Sequence, residues 1–565
     1  MTPFHVGRDV RPHEAREKAA APPWRDADLS CAPADDLTYY LRRLYLPLQR
    51  ASSAAIVATA DTTAENLAWL RAAYGEVRVV EVPRAELVEE IGRRFHHRLT
   101  DEAIFSLARE RPSLSAQRVV TKSQAGALLS CAGLVAAGAW CAPIMVLEIL
   151  VVAMSLFFVV SVLFRAVLVW AGSLPAEQAG AAVLGGDRNL PHYTILVPLY
   201  REARVLPALI GSLRALDYPK DKLQILLVVE DDDLDTARAA ETCSDNAPFE
   251  VVRVPASLPR TKPKAANFAL RYATGEYIVI YDAEDRPEPD QLRKAVAAFR
   301  RHPRTVACLQ ARLAFHNARC WLTQSFALDY GLWFNCLLPG LDRLAAPTPL
   351  GGTSNHFRTS VLHAIHAWDP FNVTEDADIG IRLAALGYRV AMLDSTTFEE
   401  APIHVSAWIK QRSRWLKGYM QTWLVHGRCA GSLVGQVGLG GFLAFQLFIG
   451  GAVLSALINP VLWAIFAISC FVPVPIFDDP SGQTLTDISA FGAVGSNALL
   501  TYLATFGARP RGEVKLVPCA YTVTIYWLLI SLAAYRGLWH LIVKPFHWEK
   551  TAHGLSDPTE KLGRA

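Results

Sequence analysis

The first candidates for chemistry are the acids that end the stretch from Gly275 to Asp285. Residues 277–281 read YIVIY, and this apolar, β-branched and aromatic run predicts a buried strand of a parallel sheet. Asp282, Glu284 and Asp285 would follow that strand at its carboxyl end, where open α/β sheets bind ligands. Residues 282 and 284, two apart on an extended backbone, would project the same way and could share a hard divalent cation. The alternative interpretation is an acidic turn without chemistry.

A second acidic group, Glu375 and Asp376, follows Thr374 and precedes a helical pattern over residues 377–386. This order predicts acids at a helix N-terminus, where the helix dipole would lower a carboxylate pKa modestly and keep the group ionised. One acid cluster could then hold a metal while the other, far away in the sequence, acts as a base. N-capping without any chemistry is the alternative.

The elements that would position these acids alternate between strand and helix across residues 190–430. Strands are predicted at 193–198 and 223–229, with a helix at 206–216 between them, and the alternation continues to residue 281. Such βαβ units predict a Rossmann-like sheet of parallel strands. The strand ends carry neither a GxGxxG nor a GxxxxGK[ST] pattern, which argues against a dinucleotide or P-loop site.

Long uncharged runs on both sides of this region predict an integral membrane protein. Residues 125–171 have room for two spans of about 20 residues each, and Arg118 and Lys122 just before them place the flanking domains in the cytoplasm. Residues 431–535 predict about four more spans, with a break near Asn459-Pro460 and one segment that could instead be re-entrant. Residues 536–565 predict a helix on the membrane surface and a cytoplasmic tail.

The N-terminal part of the chain divides into two regions. Residues 1–35 show no sustained periodicity and are expected to be flexible. Residues 36–120 alternate strand and helix patterns and predict a small α/β domain. The net charge of +3, without a basic stripe, argues against nucleic acid as a partner, and ten scattered cysteines favour free thiols.

Seven short motifs, in order between the predicted spans, resemble those of membrane-embedded processive glycosyltransferases of family 2. Cellulose, hyaluronan, curdlan and poly-N-acetylglucosamine synthases are members of this family, and the resemblance covers about residues 125–550. The motifs are VPLYRE (197–202), ED (230–231), KPKAAN (262–267), DAED (282–285), GGTSN (351–355), TED (374–376) and QRSRW (411–415). In isolation, the basic run around QRSRW would equally suit a helix on a membrane surface.

The resemblance implies a GT-A fold for the cytoplasmic domain and a role for each matching residue. Around the donor, Tyr200, Glu202 and Glu230 would border the nucleotide, Lys264 would approach the diphosphate, and Asp282 with Glu284 would hold Mg²⁺ or Mn²⁺. Asp376 would be the base, with Glu375 beside it. Arg414 would grip the diphosphate bidentately, Trp415 would stack under the acceptor sugar, and Gln411 would support that geometry. The usual family pattern has Asp at position 230 and DxD at 282–284.

The implied function is an inverting, metal-dependent polysaccharide synthase of the bacterial plasma membrane. It would take a nucleotide-sugar donor, with UDP-hexose favoured, and pass the polymer through its own channel among membrane lipids. One alternative is a single addition to a lipid-linked acceptor. Another is a membrane scaffold with an inactive transferase domain. In that case, the N-terminal domain, whose VATAD and ENL segments resemble the N-terminal domain of type II secretion ATPases, would sense cyclic di-GMP. The tail from Trp548 to Gly554 is also similar to that of bacterial members with such a domain.

Overall fold

The computed structural model describes residues 37–50, 54–174, 186–243, 248–471, 487–508 and 513–549, and it divides the chain into two compact units. The first unit ends at Leu99, earlier than the predicted domain boundary at residue 120, and the second runs from Thr100 onwards. The predicted flexible segment 1–35 and the tail beyond residue 549 lie outside the described residues.

The first unit is built on a three-stranded sheet. Strand β1 pairs antiparallel with β2, and β2 pairs parallel with β3. The alternation of strand and helix predicted within residues 36–120 is therefore present. Helix α3 begins in the first unit and ends at Glu110, within the second, with a non-helical residue at Phe95. The elements are α1 (Leu37–Arg43), β1 (Tyr45–Arg50), β2 (Ala55–Thr59), α2 (Ala64–Tyr74), β3 (Val77–Glu81) and α3 (Arg84–Glu110).

The second unit contains an eight-stranded sheet in the order β6-β5-β4-β7-β10-β9-β11-β8. Its strands are β4 (Tyr193–Leu199), β5 (Leu223–Glu230), β6 (Phe249–Val254), β7 (Tyr277–Ile280), β8 (Arg286–Pro287), β9 (Val306–Phe315), β10 (Asn355–Arg358) and β11 (Arg389–Glu399). Strands β4 to β7 are parallel, which confirms the predicted βαβ half. The sheet as a whole is mixed, because β10 enters antiparallel between β7 and β9.

Helices cover this sheet and lead from it toward the apolar part of the chain. Their apolar faces pack on the wholly buried strands β5 and β7, so the carboxyl ends of those strands are held in fixed positions. The helices are α6 (Leu206–Arg214), α7 (Leu234–Cys243), α8 (Lys262–Leu270), α9 (Gln291–Arg301), α10 (Trp321–Leu332), α11 (Leu338–Arg343), α12 (Thr359–Ala364), α13 (Glu375–Ala385) and α14 (Val405–Gly427).

Four helices are long and apolar enough to cross a membrane: residues 122–141, 143–173, 430–468 and 523–543. The predicted pair over 125–171 corresponds to α4 (Lys122–Cys141) and α5 (Pro143–Ser173). The remaining helices are α15 (Ala430–Phe445), α16 (Gly451–Phe471), α17 (Ser496–Ala508), α18 (Val517–Ala520) and α19 (Val523–Val543). Six spans were predicted, and four helices meet the length and composition requirement among the described residues.

Two predictions about the C-terminal half are wrong. The break predicted near Asn459-Pro460 is absent, because helix α16 continues through Pro460. A non-helical residue lies earlier, in α15, at Gly438, whose φ of 71° is one that glycine adopts readily. The surface helix predicted within residues 536–565 also differs, because α19 continues to Val543 and residues 544–549 are not helical. Gly537 lies inside α19, where a Cβ would come 2.9 Å from the Ser413 carbonyl oxygen, so the helix packs closely on α14 at this point.

Candidate active site

A pocket of about 790 Å³ opens at the carboxyl ends of the parallel strands. Ten of the eleven predicted site residues line it: Tyr200, Glu202, Glu230, Asp282, Glu284, Glu375, Asp376, Gln411, Arg414 and Trp415. They come from β5, from the segments after β4 and β7, and from the N-terminal half of α13 and the middle of α14. Residues separated by more than 200 positions in the sequence therefore meet around one space.

The acids after β7 lie on a turn, so the predicted extended backbone at 282–284 is wrong. The Asp282 amide donates to Asp285 Oδ2 at 2.7 Å, and the Asp285 amide donates to the Asp282 carbonyl oxygen at 3.2 Å. Thr353 Oγ1 donates to the same Asp285 oxygen. Asp285 is thus a buried brace of the turn, and Asp282 and Glu284 still both face the pocket.

The lysine that faces these acids is Lys262 and not Lys264, as was predicted. Lys264 is fully buried behind the pocket wall, where its Nζ donates to Glu230 Oε2 at 2.8 Å. Lys262 Nζ lies 2.5 Å from Asp282 Oδ1 and donates to the Gly352 carbonyl oxygen at 2.6 Å. Both lysines lie in the first turn of α8, and two residues rotate a helix by about 200°, so they face opposite ways. That rotation could have distinguished them in the sequence.

Lys262 is the shared counter-ion of the two acid groups. Burial alone lowers the pKa of Lys262, but Asp282 and Glu375, with a smaller contribution from Asp376, raise that pKa overall. The lysine therefore stays protonated. Sequence reasoning missed it because the family motif KPKAAN contains both lysines.

The acids of the TED motif lie at the start of α13, as predicted, but their pKa values shift the other way. Burial raises the pKa of Glu375 to about 7, with Asp376 adding to the effect, and it raises the pKa of Asp376 despite the opposing charges of Lys262 and Arg414. The prediction that the helix dipole lowers these values is wrong, because the loss of hydration outweighs the dipole. The Thr374 side chain does not cap the helix.

Helix α14 packs closely against the TED motif, and this packing holds Arg414 of the helix beside Glu375 and Asp376. A Cβ at Gly418 would lie 2.0 Å from Thr374 Oγ1, so only glycine fits there. Arg414 lies one helical turn before Gly418 and lines the pocket with Glu375 and Asp376. The Arg414 guanidinium carbon lies 4.8 Å from the Trp548 ring, a cation–π distance.

We expect Gly418→Ala to separate α14 from Thr374 and to destabilise the protein by about 1–3 kcal/mol, as overpacking does. Thermal unfolding of the purified chain should show a lower Tm, and donor turnover should fall at temperatures where the fold persists. The matched control is Gly427→Ala on the same helix, where a Cβ meets nothing within 4 Å. Equal Tm values for the two variants would contradict this packing.

A second cavity, of about 170 Å³, begins where the pocket ends. Gly352, Thr374, Asp376, Tyr330 and Trp415 line both spaces. The smaller cavity then continues among apolar helices past a series of polar side chains: Arg165, Asp329, Arg412, Ser455, Asn459 and Ser531. Asp376 and Trp415 therefore lie at the junction between an acid-lined pocket and a cavity that continues among the apolar helices.

The segment after α19 contributes a wall of the pocket that the predicted surface helix did not anticipate. Phe546, His547 and Trp548 line the pocket. The segment is held to α14 by Lys417 Nζ, which donates to the His547 carbonyl oxygen at 2.8 Å. Gln421 Nε2 donates to the neighbouring Pro545 carbonyl oxygen at 3.2 Å. The similarity of the WEKTAHG tail to bacterial family members was the available signal.

The pocket suits a hard divalent cation by the chemistry of its donors. Asp282, Glu284 and Glu399 all present carboxylates to it, and oxygen ligands are those that Mg²⁺ and Mn²⁺ prefer. The pKa of Glu399 is raised well above its usual range, first by burial and then by the neighbouring acids Asp285, Glu284 and Asp282. Among the residues that the structure describes, no three His, Cys, Asp or Glu side chains are already arranged around one ion position.

These features define an α/β enzyme whose pocket joins acids, a lysine and an arginine at the end of a sheet. Residues 277–535 match the model of "Glycosyl transferase family group 2", and residues 194–347 match "Glycosyl transferase family 2". Together with the named relatives below, these matches support a glycosyltransferase of family 2. The four apolar helices indicate membrane association.

Curated relatives are 24–28% identical to this chain over the aligned residues. The probable glycosyltransferase YdaM of Bacillus subtilis is 24% identical over 234 residues, which are 41% of this chain and 56% of YdaM. The probable glucomannan 4-beta-mannosyltransferase 10 of Arabidopsis thaliana is 28% identical over 244 residues, 41% of this chain and 44% of that protein. The chain thus spans about half the length of the curated relatives it matches.

Among solved structures, the mannosyltransferase PcManGT from Pyrobaculum calidifontis, in complex with GDP-Man and Mn²⁺, is similar with a TM-score of 0.41 at 17% identity. That similarity covers 70% of this chain and 99% of PcManGT. S. aureus TarS 1–349 in complex with UDP-GlcNAc has a TM-score of 0.32 at 15% identity, covering 59% of this chain and 92% of the TarS chain.

Proposed function

We propose that the protein is an inverting, metal-dependent glycosyltransferase of the bacterial plasma membrane. It transfers a hexosyl unit from a nucleoside diphosphate sugar to a growing chain and passes the product into its own membrane helices. The observation that carries this proposal is the shared position of Asp376 and Trp415, which line both the acid-lined pocket and the cavity beyond it. A donor on one side and an acceptor on the other would meet there.

On the donor side, Tyr200, Glu202 and Glu230 border the nucleoside. Lys262 and Arg414 face the diphosphate with fixed positive charge, and Lys264 acts indirectly by holding Glu230. Asp282 and Glu284 would hold Mg²⁺ or Mn²⁺, which when bound offsets the negative charge of the diphosphate. Lys262 and Arg414 stabilise the negative charge that develops on the leaving diphosphate, because both side chains are already in position before the reaction.

On the acceptor side, Asp376 accepts the proton of the attacking hydroxyl. The new bond forms between that oxygen and the anomeric carbon, while the bond from the anomeric carbon to the phosphate oxygen breaks and the nucleoside diphosphate leaves. Attack on the face opposite the leaving group inverts the configuration. Gln411 and Arg414 lie on the same face of α14 as Trp415 and orient the two substrates, and Glu375 keeps Lys262 charged between them.

The proposed base predicts the pH dependence of the reaction. Because burial raises the pKa of Asp376, the acidic limb of kcat/KM should lie above about pH 4, the usual value for an aspartate. Below the limb, kcat/KM should fall about tenfold per pH unit as Asp376 is protonated. The acidic limb should persist in Glu375→Gln, a variant in which the adjacent acid can no longer titrate. An acidic limb near pH 4 would contradict a buried base.

The cavity beyond Trp415 supports export. Ser455, Asn459 and Ser531 give it polar groups among helices that are otherwise apolar, as a sugar path through a membrane requires. In the proposed topology the soluble pocket lies in the cytoplasm, because Arg118 and Lys122 flank the first pair of apolar helices.

Single addition to a lipid-linked acceptor is the second candidate, and the apolar part of the cavity lining favours it. Phe158, Leu332, Leu500 and Trp527 line the smaller cavity and would contact a lipid chain. Processive synthesis would instead use the polar side chains that line the same cavity.

The test is turnover by the full chain in lipid nanodiscs with labelled donor. UDP-glucose represents the family's usual donor, and GDP-mannose is included because several relatives are named mannosyltransferases. We expect nucleoside diphosphate release with Mg²⁺ or Mn²⁺, loss of it with EDTA, and long labelled products. Labelled lipid carrying one sugar would support the second candidate, and no turnover of any nucleotide sugar would contradict both.

The inactive scaffold that senses cyclic di-GMP predicts a different result. Titration of the full chain with cyclic di-GMP would then release heat while no nucleotide sugar is consumed. Heat together with turnover would instead indicate an active enzyme with a nucleotide-binding N-terminal unit. The absence of heat would exclude the sensing role.

A further inference from the structure

An acid in the smaller cavity, Asp329, holds the arginine that contacts the Trp415 indole. Asp329 lies on α10, and Arg412 Nη2 donates to its Oδ2 at 2.6 Å. The same Nη2 lies 3.0 Å from the Tyr526 hydroxyl. The Arg412 guanidinium carbon is 4.7 Å from the Trp415 ring centroid and 4.3 Å from that of Phe326, both of which are cation–π distances. Arg412 is thus fixed by an acid at one end and covers aromatic rings with its face.

The next residue of α10 contacts Trp415 directly. The rings of Tyr330 and Trp415 are stacked, with centroids 5.9 Å apart and planes inclined by 21°. Helix α10 therefore positions the indole directly through the rings of Tyr330 and Phe326, and indirectly through Asp329 by way of Arg412. Together they set the plane that Trp415 presents at the junction of the two cavities.

The ion pair is shielded enough to orient the guanidinium. The side chains of Arg412 and Asp329 are 13% and 26% exposed, and charge-assisted hydrogen bonds gain strength away from water. Arg412 Nε has no hydrogen-bond partner within the described part of the chain, so the contacts at Nη2 determine how the planar group lies. A guanidinium is rigid, and a change at Nη2 therefore moves the face that covers Trp415.

We propose that Asp329 is a positioning residue for the acceptor. Through Arg412, it sets the Trp415 plane on which the acceptor ring packs beside Asp376. The groups that hold the nucleoside and the diphosphate keep their positions, because neither Asp329 nor Arg412 lines the donor pocket. This inference rests on the proposed function. A misplaced acceptor leaves the bound donor open to attack by water, so the sugar is released free and not transferred.

The experiment measures how the donor sugar is divided between product and free sugar. The probe is labelled UDP-glucose or GDP-mannose, whichever the wild-type chain consumes, with the full-length protein in nanodiscs. In Asp329→Asn we expect the ratio of free to transferred sugar to rise about fivefold, in keeping with the strength of one cation–π contact. The KM for the donor should stay within about twofold of the wild-type value. Asp329→Glu keeps the carboxylate and should restore most of the transfer.

The matched control is Asp342→Asn in the same helical region. Asp342 is 23% exposed in its ion pair with Arg389 and lines neither cavity, so its loss should leave the ratio unchanged. A general loss of structure would lower free and transferred sugar in parallel. A wild-type ratio in Asp329→Asn would overturn the inference, whether or not total turnover falls. Failure of the wild-type chain to consume either donor would instead overturn the proposed function.

Discussion

Replacing Asp376 by Asn should lower the turnover number by about 10²–10⁴-fold, the usual contribution of a general base. The amide keeps the shape of the side chain and can still accept the hydrogen bond that the Ala377 amide donates to Asp376 Oδ1 at 2.8 Å. It cannot take a proton from the acceptor hydroxyl. Single-turnover rates with labelled donor would measure the loss.

Donor affinity separates this role from a structural one. Asp376→Asn should bind the nucleoside diphosphate within about threefold of wild type, because the residue acts on the acceptor and uniform binding is retained. Glu375→Gln at the adjacent position is the control for a simple loss of negative charge, and it should retain more activity than Asp376→Asn. Turnover of Asp376→Asn within about tenfold of wild type would remove Asp376 as the base.

The second large effect distinguishes two lysines that are two residues apart. Lys262→Gln should lower kcat by about 10²-fold or more, comparable to the loss of a fixed electrostatic donor in other enzymes. The physical reason is its position 2.5 Å from Asp282 Oδ1, where it neutralises both acid groups and faces the leaving diphosphate. Steady-state kinetics at saturating Mn²⁺ would measure it.

Lys264→Gln tests whether Lys264 has a structural role and not a catalytic one. It leaves Glu230 buried without its cation, and breaking a buried ion pair costs about 3–5 kcal/mol of stability. We therefore expect a lower Tm and a poor yield, with near-normal kcat in the protein that folds. If Lys264→Gln lost turnover with an unchanged Tm while Lys262→Gln stayed active, the assignment from the sequence would be right and the one from the structure wrong.

The sequence predicted this site where residue type and local pattern determine position. Strand β7 followed by acids, the start of α13 and the helix around QRSRW are local features, and each is present. Local pattern also gave the parallel half of the sheet. The antiparallel entry of β10 was not predictable, because its partners Ile280 and Gln310 are 75 and 45 residues away from Asn355.

The failures share a physical cause, which is tertiary burial. The pKa values of Glu375 and Asp376 depend on how much water the fold excludes, and the helix position alone gave the wrong direction. The turn at Asp282 depends on the hydrogen bond that Thr353 donates to Asp285, and the path of α19 depends on how Gly537 packs against α14. None of these contacts leaves a periodic signal in the chain.

The most direct test of the central claim is an experimental structure of the full chain with a nucleoside diphosphate and Mn²⁺. The account predicts the diphosphate between Lys262 and Arg414, the metal on Asp282 and Glu284, and an open path from Asp376 to the cavity beside Trp415. A nucleotide bound elsewhere, or a diphosphate in contact with neither Lys262 nor Arg414, would contradict it.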